Sequence, residues 1–167
     1  GTMGKEIPKE MQFWTKEEYL KFAETMMDKP RSYYAFELLY WTGIRSGELL
    51  ALTPSDFDFE KQILRINKTF HRSKGEDIIT TPKTVKSNRL ITLPPFLCEK
   101  IKDYLGMFYE IGNNERMFSF TKSYLGHEMD RGCKASGVKR IRIHDLRHSH
   151  VSLLINMGFS ALAIGNR

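Results

Sequence analysis

The chain has 167 residues, 41% of them apolar, and a formal net charge of +6, the size of one domain with a core of its own. No apolar run is long enough to cross a bilayer and the amino terminus is polar, which argues against a membrane span or a secretory signal. Its two cysteines, Cys98 and Cys133, are far apart and lack C-x-x-C spacing, which argues against a disulfide scaffold or a thiolate zinc site and makes a reducing cytoplasm the default compartment.

Gly1-Thr2-Met3-Gly4 reads as an expression-tag remnant, and 5–167 as the domain proper. Thr15 and Glu18 make a capping box, with Trp14 and Tyr19 placed for a hydrophobic staple around it. Tyr19, Leu20, Ala23, Met26 and Met27 then recur at helical spacing as far as Lys29-Pro30. A second helix follows Pro30; Tyr34, Phe36, Leu38, Leu39 and Tyr40 make it apolar nearly all round, so it belongs in the core. Gly43 ends it, and a short helix starts near Arg45 and runs through Leu52 to Thr53-Pro54.

The period changes in the middle. Gln62–Phe70 alternates, and Asp77–Thr81 and Arg89–Leu93 are two further β-like runs, with a turn at Lys74–Asp77 and a polar connection at Lys83–Asn88. The expectation is a small three-stranded antiparallel sheet within a mainly α protein, an α+β fold. After Pro94-Pro95, the residues Phe96, Leu97, Ile101, Tyr104, Leu105 and Phe108 mark an amphipathic helix ending near Gly112. Phe118–Phe120 is a short extended piece and Tyr124–Ala135 a helix before Gly137. A last helix from His144 turns Leu146, Val151, Leu154 and Ile155 inward and stops at Met157-Gly158, after which Ser160 caps a helical stub.

The charge is not spread evenly. Residues 61–92 hold eight Lys/Arg, at 61, 65, 68, 72, 74, 83, 86 and 89, against Glu76 and Asp77; the rest of the chain holds 18 of each sign. One segment therefore carries the whole excess. Such a stripe attracts polyanions by releasing their counterions, and nucleic acid is the commonest of these. A solubilising surface ribbon is the competing explanation.

Two arginine-bearing segments flank that stripe. In Thr42-Gly43-Ile44-Arg45-Ser46-Gly47-Glu48-Leu49, Arg45 opens a helix with Glu48 one turn on, either a plain surface pair or a carboxylate that aims a guanidinium. In His144-Asp145-Leu146-Arg147-His148, one helical turn brings His144 and Arg147 to one face. Two guanidiniums and an imidazole suit a phosphodiester, because Arg matches phosphate oxygens through paired N–H donors. His148 also has a structural reading, bonded to backbone. A zinc reading pairs His144 with His148 at i and i+4, Asp145 standing where a general-base Glu is usual and His127 or His150 completing the set. Lys83, where a strand meets a connection, is placed to protonate a leaving oxygen; Lys86 competes for that role.

In this order, with Thr81-Pro82-Lys83-Thr84 in the hairpin region and the helix opened by Trp14-Thr15-Lys16-Glu17-Glu18 ahead of them, the two boxes resemble the catalytic domain of tyrosine recombinases of the phage-integrase type, over about 13–167. It is particularly similar to integrases of phages and conjugative transposons of Gram-positive bacteria. The resemblance implies site-specific DNA strand cleavage and rejoining through a 3′-phosphotyrosyl link, with no metal and no cofactor. Arg45 and Arg147 would hold the non-bridging oxygens of the scissile phosphate. His144 would assist positioning and proton transfer, Lys83 would be the general acid, and Glu48 and His148 would support. Arg72, Lys74, Lys86 and Arg89 would contact DNA. The implied partners are double-stranded DNA and other protomers assembled on it, in the cytoplasm of a bacterial host, with this chain alone a monomer.

The chain departs from the family at its end. The nucleophilic tyrosine is expected some two to three dozen residues after the second arginine, but Ile164-Gly165-Asn166-Arg167 closes the sequence and none of its seven tyrosines follows His144. The expectation is a fragment holding the phosphate clamp without the nucleophile, inactive in cleavage. A non-catalytic DNA-binding module is the alternative.

Overall fold

The amino-terminal capping box sets the first element. Thr15 accepts from the Glu18 N–H at 3.2 Å and Glu18 accepts from the Thr15 N–H at 2.9 Å, opening α1 (Lys16–Glu24). In the computed structural model, which describes residues 12–81 and 88–159, five more helices follow: α2 (Pro30–Thr42), α3 (Ser46–Ala51), α4 (Pro95–Gly106), α5 (Lys122–Ser136) and α6 (Asp145–Asn156). Between α3 and α4 lie β1 (Phe57–Asp58), β2 (Ile63–Ile66), β3 (Thr69–Ser73), β4 (Glu76–Thr80) and β5 (Arg89–Thr92). The supposed tag remnant at 1–4, the Pro82–Lys83–Thr84 segment, Lys86 and the stub from Ser160 lie outside the described residues.

As its composition required, α2 is the buried axis, packed against α1, α3, α4 and α6. Tyr34, Phe36, Leu38, Leu39 and Tyr40 are all buried on it. Its one core carboxylate, Glu37, is satisfied by Lys100 Nζ at 2.7 Å, the Trp41 indole at 3.2 Å and the Tyr19 hydroxyl, as a buried charge must be. Trp14 joins the chain's start to α6: its N–H donates to Ser149 Oγ at 2.9 Å, and Ser149 donates to the Asp145 carbonyl at 3.1 Å. Cys98 and Cys133 are both buried free thiols.

The strands form two units. A three-stranded antiparallel sheet runs β1-β2-β5, with Leu64 opposite Ile91 and Ile66 opposite Arg89. Separately, β3 and β4 form a hairpin closed by Lys74 and Gly75, both at positive φ (51° and 80°), the geometry of a tight primed turn. The 62–70 run is therefore two strands, parted at Asn67-Lys68, where Lys68 leaves to pair with Asp56. The run at 77–81 joins the hairpin rather than the sheet, and β1, which the alternation did not mark, takes the third place.

The hairpin leans on α3 instead. A Cβ on Gly47 would lie 2.4 Å from Thr69 Oγ1 and 3.2 Å from the Phe70 carbonyl oxygen, so the missing side chain is what lets helix and hairpin close up. The helix expected to reach Gly112 stops at Gly106, and Phe108 folds back against the Tyr104 ring, centroids 5.1 Å apart. The extended piece expected at Phe118–Phe120 is instead an irregular segment with bends at Phe118 and Phe120; Phe118 stacks on Tyr104.

Candidate active site

Gly43 is the pivot that brings the first arginine round. It ends α2 with φ +74° and its N–H bonded to the Leu39 carbonyl at 3.1 Å, a left-handed cap that favours glycine. A Cβ there would also sit 2.5 Å from His150 Cδ2, so α6 packs directly on this turn. His150 in turn bonds the Tyr40 carbonyl through Nδ1 at 2.8 Å. One glycine thus couples the Arg45 turn to the helix carrying Arg147.

Arg45 stands at the N-cap of α3 with its side chain 54% exposed. Its backbone N–H donates to Glu48 Oε1 at 2.9 Å, and its Nη1 lies 3.7 Å from Glu48 Oε2. Glu48 is buried and turns its two oxygens to a different arginine: Arg89 Nη1 donates to Oε2 at 2.9 Å and Nη2 to Oε1 at 3.0 Å. Burial alone would raise the Glu48 carboxyl, but the Arg89 hydrogen bonds, with help from Arg45, hold it below the usual carboxylate range. Arg89 was expected on the DNA surface. Its side chain is only 9% exposed and it stands behind the site, bracing Glu48. Period two was the signal for this, since Arg89 shares a strand face with Ile91 and Leu93, both 1% exposed, while Leu90 is 64% exposed.

Arg147 lies half-buried on the first turn of α6, close enough to feel Arg45, Glu48 and Arg89. Burial, then the Arg45 guanidinium, press against its charge, and Glu48 only partly compensates. Its Nη1 is buried and hydrogen-bonded to nothing among the described residues. A buried donor with no acceptor among the described residues, beside a second guanidinium, is an arrangement that an anion stabilises.

His144, exposed at the N-cap of α6, meets His148 edge to face with centroids 5.3 Å apart. Burial of part of its ring, then His148, Arg147 and Arg142, hold its pKa below the usual histidine value, so it is a neutral imidazole at pH 7. Asp145 is fully buried and accepts from the Arg142 N–H and Nη2, both at 2.9 Å; its Oδ1 is also 3.8 Å from His148 Nε2. Asp145, legible in the sequence only as a zinc-site base, is instead the anchor of Arg142. No three His, Cys, Asp or Glu side chains among the described residues gather closely enough to hold a metal ion.

Arg72 and Lys74 lie on the hairpin as expected. Arg72, 52% exposed, bonds Asp77 Oδ1 at 3.1 Å and the Gly75 carbonyl at 3.0 Å. Arg116 carries no local motif, and what gives it its place, the Leu50 carbonyl and the Phe70 ring, lies far away in sequence. It bonds the carbonyls of Leu50 (2.7 Å), Phe118 (3.0 Å) and Phe120 (2.9 Å), and its guanidinium lies 3.6 Å from the Phe70 ring centroid. It clamps the hairpin against the end of α3. Lys83 and Lys86, the two candidate acids, lie outside the described residues.

Comparison with known proteins decides the family. The model of the phage integrase family matches residues 12–166. The chain belongs to the phage integrase family. This agrees with the resemblance carried by the two arginine boxes. The ICEBs1 integrase of Bacillus subtilis is 31% identical, over 95% of this chain and 47% of its own length. The integrase of Staphylococcus phage L54a is also 31% identical, over 80% of this chain and 42% of its own. The chain thus spans about half the length of these relatives. Among solved structures, the Tn1549 transposon integrase in complex with a circular-intermediate DNA superposes with a TM-score of 0.79 at 20% identity, covering 94% of this chain and 57% of that one. XerA recombinase gives 0.75 at 20% identity, covering 96% and 55%. These establish the fold as that of the integrase and recombinase catalytic domains. No helix among the described residues is long and apolar enough to cross a membrane.

Proposed function

We propose that this chain is the phosphate-clamping part of the catalytic domain of a site-specific DNA integrase acting in the cytoplasm of a bacterial host. The observation that carries the reading is the Arg147 guanidinium: half-buried, pressed by Arg45, and with Nη1 unpartnered among the described residues. A phosphodiester between the two arginines supplies the missing acceptor, and its negative charge offsets the repulsion between them.

The chemistry follows from that placement. A tyrosine oxygen attacks the scissile phosphorus, the 3′-phosphotyrosyl bond forms, and the bond to the 5′ oxygen breaks. Arg45 and Arg147 hold the non-bridging oxygens as negative charge builds on them. Lys83, or Lys86 next in line, gives its proton to the departing 5′ oxygen, and His144, neutral at pH 7, orients the phosphate and passes protons. Glu48 fixes Arg45 from behind, with Arg89 fixing Glu48, and His148 steadies His144. One ester replaces another, so the link keeps the energy needed for rejoining. The nucleophile is not among this chain's seven tyrosines: Tyr19, Tyr34, Tyr40 and Tyr104 are core, Tyr33 and Tyr124 are partly buried beside it, and Tyr109 is 98% exposed after α4. Under this reading the chain alone is a monomer that does not cleave DNA, and the complete protein assembles as several protomers on double-stranded DNA.

The test uses the protein from the complete gene and nicked duplexes spanning the flanks of the element that carries it. A covalent protein–DNA adduct that Arg45→Ala or Arg147→Ala reduces at least about 100-fold supports the reading. DNA binding without an adduct, indifferent to either change, favours the non-catalytic DNA-binding module.

A further inference from the structure

A second cleft, of about 500 Å³, opens beside the clamp. Arg45 forms one end of it. Thr69, His71 and Arg72 of β3 form one wall, and Thr121, Lys122 and Ser123, where α5 begins, form the other. Three of its lining side chains are cationic (Arg45, Arg72, Lys122), a fourth is His71, and none is acidic.

The α5 wall is built against its own helix. A helix amino terminus carries a partial positive charge that favours carboxylates, yet the first turn of α5 has no acidic residue and Thr121 makes no side-chain cap bond. Lys122 adds a full charge to that end and makes no ion pair or side-chain hydrogen bond among the described residues. At the start of α2, by contrast, Lys29 pairs with Glu128 and Arg31 bonds the Tyr124 hydroxyl. Cations on three separate elements therefore face one cleft that opens onto Arg45. A polyanion with regularly spaced charges can use them together.

We propose that this cleft is a second phosphate subsite, taking the backbone of the same DNA strand next to the phosphate held by Arg45 and Arg147. Lys122, Thr121 and Ser123 hold it from the α5 side, His71 and Arg72 from the hairpin side. The inference rests on the DNA-clamp reading and extends it to residues on α5. Its effect is on register: two neighbouring phosphates, held at once, set which phosphodiester meets the arginine pair.

The test is the salt dependence of binding of this 167-residue chain to a fluorescent duplex of mixed sequence, from about 50 to 200 mM salt. Lys122→Gln weakens binding several-fold and makes the slope of log K against log salt shallower by about one, the value for one lost phosphate contact. Lys134→Gln removes the same charge from the same helix about 18 Å away and leaves the slope unchanged. Unaltered melting of both variants establishes that the fold is intact. A Lys122→Gln slope equal to that of wild type overturns the subsite; if Arg147→Met still weakens binding in that case, the clamp itself stands. Equal losses in the two lysine variants also overturn it, since the cleft then contributes nothing beyond net charge. A wild-type chain that binds no duplex overturns clamp and subsite together.

Discussion

Glu48 and Arg89 form a buried two-pronged ion pair, 2.9 Å and 3.0 Å, between residues 41 positions apart. It stands behind the Arg45 N-cap and ties β5 to α3. Removing either partner breaks a buried ion pair, a loss of about 3–5 kcal/mol. Glu48→Gln and Arg89→Met are each expected to lose that much, read as a fall in the urea midpoint. The double variant Glu48→Met/Arg89→Met recovers all but about 1 kcal/mol, the share of the lost Arg45 N–H bond. Simple additivity of the two losses would refute the pairing.

Arg147 behaves in the opposite way. Its charge is pressed by burial and by Arg45, and its Nη1 has no acceptor among the described residues. Arg147→Met removes both penalties and keeps the apolar stem. It is expected to hold or raise stability, by up to about 1 kcal/mol or roughly 2–4 °C in melting temperature, while duplex affinity falls. A drop of several degrees would make Arg147 a structural residue.

Acid should weaken the fold in two stages. The His144 pKa is depressed below 6.5, chiefly by burial and His148. The unfolded chain therefore takes up that proton first, and stability declines as pH falls below about 6.5. Burial pushes Glu48 and Asp145 up, but their arginine partners Arg89 and Arg142 more than offset it, so both sit below their ordinary 4.5 and 3.8. Their contribution is full above those values and is lost as pH drops through the folded ones. Urea midpoints from pH 7 to pH 3 should show a shallow decline followed by a steep one, with Glu48→Gln flattening the steep part. A midpoint constant between pH 7 and pH 5 would contradict the His144 assignment.

Gly47→Ala sets helix propensity against packing. Alanine favours a helix by about 1 kcal/mol over glycine, but its Cβ would meet Thr69 Oγ1 at 2.4 Å. The contact wins, and net destabilisation is expected. Adding Thr69→Ala removes the oxygen and should restore stability to near wild type. A Gly47→Ala chain more stable than wild type would mean that the hairpin yields easily.

Local signals were legible and distant partners were not. Thr15 with Glu18, Pro30 and the left-handed Gly43 wrote the helix boundaries into neighbouring residues, and Arg45 and Arg147 each stood in a motif of a few positions. The division of 62–70 into β2 and β3 was hidden because both halves alternate; what parts them is Lys68 turning to Asp56 and Gly47 admitting the hairpin. Arg116 and the Arg89–Glu48 pair act across 40 or more residues, a distance over which spacing carries no information. Arg89 was the exception in principle, since its strand face was already readable from Ile91 and Leu93.

The proposed clamp has Arg45 and Arg147 gripping one backbone phosphate. The most direct measurement is a crystal structure of the chain bound to a short duplex. A phosphate oxygen is expected to accept from Arg147 Nη1 at hydrogen-bond distance, with Arg45 on the same phosphate group. Duplex bound on another face, with the two guanidiniums touching no phosphate, would contradict it.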